Sequence, residues 1–175
     1  RSLVATRPFL VELKLVSEPP MPDAVIIAGA NGAGKTTFAR NLLPLDYPDA
    51  IFFNADEIQR DPAFTSPVAA GRELLRRLDE RVAAQASFAV ETTLSSSMYL
   101  RRTPEWQALG FVVLLYFLEV ASADFSIARV ARRVAAGGHG IPEADIRRRY
   151  GRGLAQFQAL RDVCDGWYHY RVDEK

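Results

Sequence analysis

The sequence predicts an α/β fold of three layers, in which helices cover both faces of a mainly parallel sheet. From Asp23 onward, short apolar runs rich in β-branched and aromatic residues alternate with longer segments of helical period, which is the pattern of repeated βαβ units. The short runs are apolar throughout, as strands buried on both faces must be. With 175 residues, of which 49% are hydrophobic and 25% charged, the chain has the length and composition of one globular domain.

The regular part of the chain divides into strands that alternate with helices. The expected strands cover residues 24–28, 50–54, 88–91, 111–119 and 167–172. The expected helices cover residues 35–43, 67–86, 97–109, 122–136 and 142–161. Pro67 and Pro142 stand where helices are expected to begin, because the fixed φ of proline suits the first helical turn. Since ligands of such folds bind at the carboxyl ends of the strands, the residues that follow each strand are the candidates for a site.

Residues 1–22 precede this pattern, and we expect them to form an N-terminal extension with an edge strand. Prolines interrupt the segment, while residues 9–16 (FLVELKLV) alternate apolar and polar side chains, as an edge strand does. The single cysteine, Cys164, and the lack of a signal-type N-terminus favour a reducing, cytoplasmic setting. The longest apolar run, residues 111–118, is far shorter than the ~20 residues of a membrane helix, so no membrane association is expected.

Residues 29–36 read GANGAGKT and match the G-x-x-x-x-G-K-[ST] pattern of a phosphate-binding loop. The match follows an expected strand and precedes an expected helix, which is the placement that phosphate binding requires. In such a loop, backbone N–H groups wrap the phosphates, Lys35 reaches the β and γ phosphates, and Thr36 ligates Mg²⁺. The residues expected to bind the nucleotide are Gly29, Ala30, Asn31, Gly32, Ala33, Gly34, Lys35, Thr36 and Thr37.

The expected nucleotide is ATP, with Mg²⁺ as its metal. A dinucleotide-binding fingerprint would need glycine at position 37, where Thr37 stands. The sequence contains no N-K-x-D motif that reads guanine and no LSGGQ-like segment, which disfavours regulatory GTPases and transporter ATPases. The remaining alternative is an ordinary glycine-rich turn without a ligand.

Polar side chains follow the second and third expected strands. Asp56, just after the second strand, suits a general base that takes the proton of an acceptor hydroxyl; its alternative role is to cap the next helix. Asn54 is a substrate contact or a turn residue. Glu91 ends the third strand and suits Mg²⁺ or substrate binding, with an N-cap or an ion pair as the alternative. Thr92 offers a hydroxyl for substrate or for a loop contact.

Arginines accumulate on two expected helices around a glycine-rich turn. Residues 127–134 (IARVARRV) place an apolar stripe on one helix face and Arg129, Arg132 and Arg133 on the others. After the turn, residues 147–149 are all arginine. This arrangement predicts a helical lid over residues 126–154, whose guanidinium groups stabilise a transferring phosphoryl group. The alternative is that these arginines are solvated or pair with nearby carboxylates.

Four segments together resemble the zeta-toxin-like kinases, and most of all their short, stand-alone bacterial branch, often described as predicted ABC-type ATPases. They are GANGAGKTT at 29–37, FNADEI at 53–58, ETTLSS at 91–96 and SIARVARRVAAGGHGIPEADIRRRYGRGL at 126–154. The resemblance implies a P-loop kinase domain over residues 23–175, with its lid at 126–154. It also implies ATP-dependent phosphorylation of a sugar-nucleotide hydroxyl, which in the studied members is the 3′-hydroxyl of UDP-N-acetylglucosamine.

The resemblance further implies roles for single residues. Lys35 becomes the phosphate-binding lysine, Thr36 the Mg²⁺ hydroxyl and Asp56 the base, while Glu91 and Thr92 lie at the substrate end.

Among the lid arginines, the resemblance implies that Arg133 and one of Arg147 or Arg148 face the γ-phosphate. Arg133 and Arg147 are the expected catalytic arginines, and Arg129 and Arg148 are expected to bind the nucleotide.

The expected partners are ATP and a small-molecule acceptor, and the resemblance adds an antitoxin-like protein. A nucleic-acid surface is disfavoured, because the net charge is +1 and the arginines are not interleaved with aromatic residues. An ATPase switch or partner-binding module without a small-molecule acceptor is the main alternative to a kinase, and a nucleic-acid end kinase is a further one.

Overall fold

A computed structural model describes residues 21–64, 66–138 and 140–172. The described residues form a parallel sheet at the centre of the fold, with helices on both faces. Its strands are β1 (Asp23–Gly29), β2 (Ile51–Phe53), β3 (Phe88–Thr92), β4 (Val112–Val120) and β5 (Gly166–Val172). Their order across the sheet is β2-β3-β1-β4-β5, and every pair is parallel. The predicted α/β fold with a mainly parallel sheet is therefore confirmed.

The helices lie close to their predicted positions. They are α1 (Lys35–Asp46), α2 (Ala55–Ile58), α3 (Pro67–Ala83), α4 (Met98–Ala108), α5 (Ala123–Ala135) and α6 (Glu143–Leu160). The short α2 was not predicted as a separate helix, and α1 continues past the expected end at Leu43 with Pro44 inside it. The expected edge strand at 9–16 lies outside the described residues. In the described parts of the chain, no helix is long and apolar enough to cross a membrane.

Local sequence signals explain where the helices begin. Pro67 occupies the first turn of α3, and the Ser66 side chain caps that helix by accepting a hydrogen bond from the backbone N–H of Ala69 at 3.1 Å. Ser122 caps α5 in the same way, with the N–H of Phe125 as donor at 3.0 Å. Pro142 stands at the N-cap of α6, directly before the helix.

Side chains alternate between the two faces of the sheet and form two cores. On one face, Ile26 and Leu115 belong to a cluster with Leu78 of α3, Trp106 of α4 and Phe157 of α6. On the other face the sheet packs mainly against α1, where the residues in contact are Val25, Ile27, Ala39, Leu43 and Leu118. This two-sided burial accounts for strands that are apolar throughout.

The parallel register brings the carboxyl ends of neighbouring strands to one edge of the sheet. In that register Ile27 of β1 pairs with Glu91 of β3, and Phe53 of β2 pairs with Val90. The segments that follow β1 and β2 therefore leave the sheet beside the end of β3. These segments carry the phosphate-loop motif and the predicted base.

Both arginine-bearing helices have residues buried in the core. Val130 of α5 and Ile146 of α6 are buried, and the Phe157 ring stacks on Phe117 with ring centroids 4.1 Å apart. Gly153 of α6 lies directly against β3, since a Cβ there would be 2.6 Å from the backbone carbonyl oxygen of Thr93. Most of the described residues between positions 131 and 145 are exposed. The expected lid of residues 126–154 thus has buried residues on both helices and an exposed turn between them.

Gly153→Ala is expected to lower the free energy of unfolding by about 1–3 kcal/mol, because its methyl group overpacks the contact between α6 and β3. Gly151→Ala is the matched control on the same helix, since no described atom lies within 4 Å of a Cβ at that position. There alanine is expected to raise the free energy of unfolding by up to about 1 kcal/mol through helix propensity. Urea denaturation followed by circular dichroism measures both values, and equal effects would contradict the close contact.

Candidate nucleotide and phosphoryl-transfer site

A cavity of about 470 Å³ lies at the carboxyl edge of the sheet. Its walls come from the phosphate loop, the β2–α2 turn, the end of β3, and helices α3 to α6. The lining residues are Asn31, Gly32, Gly34, Lys35, Thr36, Thr37, Asn54, Ala55, Asp56, Leu74, Glu91, Thr92, Thr93, Tyr99, Arg129, Arg133 and Arg149. Most of the predicted site residues therefore share one cavity.

The phosphate loop leads from β1 into the first turn of α1. Gly34 is the N-cap of α1 and has φ +88°, a left-handed conformation that glycine adopts at little cost. The backbone N–H of Ala33 donates to the carbonyl of Ala30 at 3.1 Å, which closes the turn. The N-terminus of α1 is directed at the cavity, where its N–H groups and dipole favour an anion.

Lys35 is buried at the floor of the cavity. Its Nζ donates a hydrogen bond to the carbonyl oxygen of Ala30 at 2.9 Å and lies 3.6 Å from Oε1 of Glu91. Burial lowers the pKa of Lys35, and the attraction of Glu91 opposes this shift. The site therefore holds a desolvated lysine beside a carboxylate. The positive charge of this lysine attracts phosphate strongly.

Glu91 connects the phosphate loop to the β2–α2 turn. Its Oε2 accepts hydrogen bonds from the hydroxyl of Thr36 at 2.7 Å and from the side-chain amide of Asn54 at 2.9 Å. Of the two roles that the sequence left open for Glu91, the ion pair is present, while metal or substrate binding stays a prediction.

The oxygens of Thr36 and Glu91 fit the expected Mg²⁺. They are hard ligands 2.7 Å apart, and Mg²⁺ is commonly held by one or two such protein groups together with phosphates and water. Within the described ranges, no group of three or more His, Cys, Asp or Glu side chains forms an all-protein metal site. The donor set thus suits a metal that arrives with the nucleotide.

Asn54, and not Asp56, caps α2. The Asn54 side-chain oxygen accepts the backbone N–H of Asp56 at 2.8 Å, so the alternative role of Asp56 as N-cap is excluded. Asp56 lies in the first turn of α2 and lines the cavity, where its negative charge acts on Lys35 and opposes the lowering of the lysine pKa. The neighbouring Glu57 lies 3.4 Å from Arg40. Asn54 thus holds the first turn of α2 beside Glu91 and leaves the Asp56 carboxylate at the cavity wall.

Arg129 and Arg133 reach the cavity from α5, and Arg149 reaches it from α6. Arg147 and Arg148 do not line the cavity, and their contact with the nucleotide or its γ-phosphate stays a prediction. Arg147 pairs with Asp124 at 2.6 Å and Arg148 with Asp145 at 2.7 Å, and both side chains are more than half exposed.

Helix geometry explains why Arg149 faces the cavity while Arg147 and Arg148 do not. Each helical residue is rotated by about 100° from the one before, so Arg149 lies only about 60° from Ile146 around the axis, and close to Gly153. Because Ile146 and Gly153 face the core, Arg149 turns toward the cavity, while Arg147 and Arg148 turn outward. The apolar spacing of these positions is a sequence signal that could have identified Arg149.

Some lining residues were missed and some expected ones lie outside the cavity. Ala55, Leu74, Thr93, Tyr99 and Arg149 line it without having been assigned a role, whereas Gly29, Ala30 and Ala33 belong to the loop but do not line it. Ala55 and Thr93 lie in the FNADEI and ETTLSS segments, which are a sequence signal for them, whereas Leu74 and Tyr99 carry no motif and are placed there by α3 and α4.

Tyr99 and Thr92 form the wall beside the end of β3. Burial raises the pKa of the Tyr99 hydroxyl, and its hydrogen bond with Thr92 opposes the shift. Thr92 also accepts the backbone N–H of Leu94 at 3.0 Å. The Thr92 hydroxyl therefore forms hydrogen bonds within the protein, and the residue also lines the cavity.

A glycine-rich phosphate loop between the first strand and the first helix of a parallel sheet defines a P-loop nucleotide-binding protein. A family model described as zeta toxin matches residues 10–166. The chain therefore belongs to the zeta toxin family, which confirms the resemblance drawn from the sequence.

Comparison with individual proteins agrees with this assignment. An uncharacterized protein of Haemophilus influenzae is 29% identical over 133 residues, which covers 73% of this chain and 91% of that protein. The PezAT chromosomal toxin–antitoxin system of Streptococcus pneumoniae contains a chain with a TM-score of 0.66 and 15% identity, over 89% of this chain and 70% of that one. A putative kinase from Chloroflexus aurantiacus has a TM-score of 0.59 and 15% identity, over 86% and 88% of the two chains. At such identities the two solved structures support the fold alone.

Lys35→Met is expected to abolish the rise in melting temperature that Mg·ADP gives the wild-type protein, because methionine cannot bind phosphate. At a ligand concentration of 100 Kd that rise corresponds to about 2.7 kcal/mol. Because the folded-state pKa of Lys35 is lowered, the wild type should gain stability relative to the variant as the pH rises toward the ordinary lysine value of 10.5.

Differential scanning fluorimetry with and without Mg·ADP measures both effects. The matched control is Arg40→Ala on the same helix, whose side chain is 69% exposed and does not line the cavity. It should keep the full ligand-induced shift. An unchanged shift in Lys35→Met would show that the loop does not bind phosphate through this lysine.

Proposed function

We propose that this protein is an Mg²⁺-dependent kinase that transfers the γ-phosphate of ATP to a hydroxyl of a small molecule. Membership of the zeta toxin family and the P-loop geometry support ATP-dependent phosphoryl transfer. For the acceptor we propose a sugar nucleotide such as UDP-N-acetylglucosamine. A cytoplasmic location and an antitoxin-like protein partner stay predictions.

The observation that carries the proposal is the position of the Asp56 carboxylate. It lies at the wall of the cavity that also contains Lys35 and Thr36, and Asn54 fixes its helix to Glu91. A kinase needs such a carboxylate to orient the acceptor hydroxyl and take its proton while the oxygen–phosphorus bond forms. ADP leaves as the bond to its β-phosphate oxygen breaks, and the proton stays on Asp56 until solvent removes it.

The cations of the site suit a transferring phosphoryl group. Lys35 lies at the floor of the cavity, and Arg129, Arg133 and Arg149 line it from two helices. Guanidinium groups from these directions would stabilise the charge on the three oxygens of the phosphoryl group in the transition state. Mg²⁺, held by Thr36 and Glu91, would supply further charge neutralisation on the β and γ phosphates.

The rest of the cavity suits the neutral, hydroxyl-bearing sugar of such an acceptor. Leu74 and the Tyr99 ring supply apolar surface, while Thr92 and Thr93 supply hydroxyls beside them. Sugars bind to such combinations because their C–H faces pack on apolar groups while their hydroxyls form hydrogen bonds. This composition supports a sugar as the part of the acceptor that is phosphorylated.

Asp56→Asn is expected to lower phosphoryl transfer at least about 100-fold, because asparagine cannot take the acceptor proton. The affinity for Mg·ADP should stay unchanged, since Asp56 faces the acceptor. The assay uses γ-labelled ATP with UDP-N-acetylglucosamine beside a panel of sugars and nucleotides, and follows the label by chromatography.

Glu57→Gln is the matched control, because Glu57 is the next residue of the same short helix and pairs with Arg40 outside the cavity. It should transfer phosphate as the wild type does. Label found only in free phosphate with every acceptor would favour an ATPase switch, and label on an oligonucleotide would favour a nucleic-acid end kinase. Equal transfer by Asp56→Asn and the wild type would rule out Asp56 as the base.

Arg149→Ala is expected to lower kcat by about 100-fold, as does the loss of one group that stabilises transition-state charge. Arg148→Ala changes the adjacent arginine, whose side chain pairs with Asp145, and should leave kcat unchanged. The same labelled-ATP assay measures both variants. The reverse result would contradict the role of Arg149 and favour Arg148 as the one of Arg147 and Arg148 that the family resemblance places at the γ-phosphate.

A further inference from the structure

The phosphate loop is in direct contact with helix α5. Ser126, whose side chain is fully buried, donates a hydrogen bond from Oγ to the backbone carbonyl oxygen of Asn31. A Cβ at Gly32, which has φ +76°, would lie 3.0 Å from Cβ of Arg129 and 3.4 Å from the carbonyl oxygen of Ser126. Val130 lies 3.7 Å from the same point. Only a residue without a side chain lets the helix approach the loop this closely.

The same face of α5 carries two of the cavity arginines. Residues 126, 129, 130 and 133 follow the i, i+3, i+4, i+7 spacing of one helix face. Arg129 and Arg133 line the cavity, and the charge of Arg133 contributes to lowering the pKa of Lys35. The contact between Ser126 and the loop therefore fixes the distance between the phosphate-binding backbone and the guanidinium groups.

Ser126 is not needed to start α5, because Ser122 already caps the helix. Inside a helix, serine has a lower propensity than alanine, and its hydroxyl usually bonds to a carbonyl of its own helix. Here the hydroxyl reaches another segment. The side-chain oxygen of Asn31 is buried without a hydrogen-bond partner among the described residues. The bond from Ser126 therefore holds the backbone of Asn31 where the side-chain oxygen of that residue does not.

We propose that Ser126 is a positioning residue that keeps the arginines of α5 in register with the phosphate loop. The proposal rests on the proposed function, since it concerns contacts with the γ-phosphate. Loss of the hydroxyl leaves the loop able to bind the α and β phosphates through its N–H groups. It weakens only the interaction of the arginines with the third phosphate.

The test compares the affinities of Mg·ADP and Mg·ATPγS by isothermal titration calorimetry. The wild-type protein should bind ATPγS more tightly than ADP, because the arginines reach the γ-phosphate. Ser126→Ala should lose up to about tenfold of this preference, the value of one hydrogen bond, while its ADP affinity stays within about twofold. The double variant Arg129→Ala/Arg133→Ala should lose the preference as well, and adding Ser126→Ala to it should cause no further loss, because both cavity arginines of α5 are already absent.

A structural role alone would give a different pattern. Ser122→Ala is the matched control, because it weakens the start of the same helix without contacting the loop; it should lower the melting temperature and leave the ATPγS preference unchanged. Ser126→Cys, which keeps the volume and a weaker donor, should lie between serine and alanine. Circular dichroism verifies that each variant is folded.

The outcomes separate this inference from the proposed function. If the wild type binds neither nucleotide, the proposed function fails and this inference fails with it. If the wild type prefers ATPγS and Ser126→Ala keeps the full preference, only the positioning role is overturned. Equal losses of ADP and ATPγS affinity, or an undiminished effect of Ser126→Ala in the Arg129→Ala/Arg133→Ala background, would also overturn it.

Discussion

The carboxylate of Glu91 joins three segments that would otherwise be independent. It accepts hydrogen bonds from Thr36 of the phosphate loop and Asn54 of the β2–α2 turn, and it is the ion-pair partner of Lys35. The strand order makes this possible, because β3 lies between β1 and β2 and its last residues emerge between the segments that follow them. Removing a carboxylate from water is costly unless it is paired and hydrogen-bonded, and Glu91 meets both conditions. The phosphate site and the proposed base are thereby held at a fixed separation.

This arrangement also determines which interactions within the site are replaced when a nucleotide binds. Lys35 and Thr36 face Glu91 and the loop carbonyl of Ala30, yet both are the groups expected to meet phosphate and Mg²⁺. A phosphate would take over the interaction of the lysine with its carboxylate, and a metal would take over that of the hydroxyl. Because burial already lowers the pKa of Lys35, a multiply charged anion offers this residue more stabilisation than the single carboxylate does. The ligand-free network keeps the site assembled until the nucleotide arrives.

The fold and the phosphate loop could be predicted from sequence because both depend on local pattern. Apolar runs and helical periods mark the elements, and the loop motif is a contiguous stretch of chain. Contacts between distant segments were less accessible. The sequence left Asp56 open as a base or as a helix cap, and only the hydrogen bonds of Asn54 exclude the cap. Ranking the three consecutive arginines requires the rotation of α6 about its axis, which the sequence indicates only through the spacing of Ile146 and Gly153.

Anchored arginines favour a preorganised site over a mobile lid. A lid that swings over residues 126–154 as a whole would have to break the hydrogen bond from Ser126 to the loop and withdraw Ile146 from the core, where it is buried. Any closing motion therefore belongs to the exposed residues between Val130 of α5 and Ile146 of α6, a segment that includes Arg133. Arg129 precedes this segment and Arg149 follows it, so both would line the cavity without closure. Charge stabilisation that requires little rearrangement is the form that lowers a barrier most effectively, and the close packing of Gly32 and Gly153 is what keeps these arginines in place.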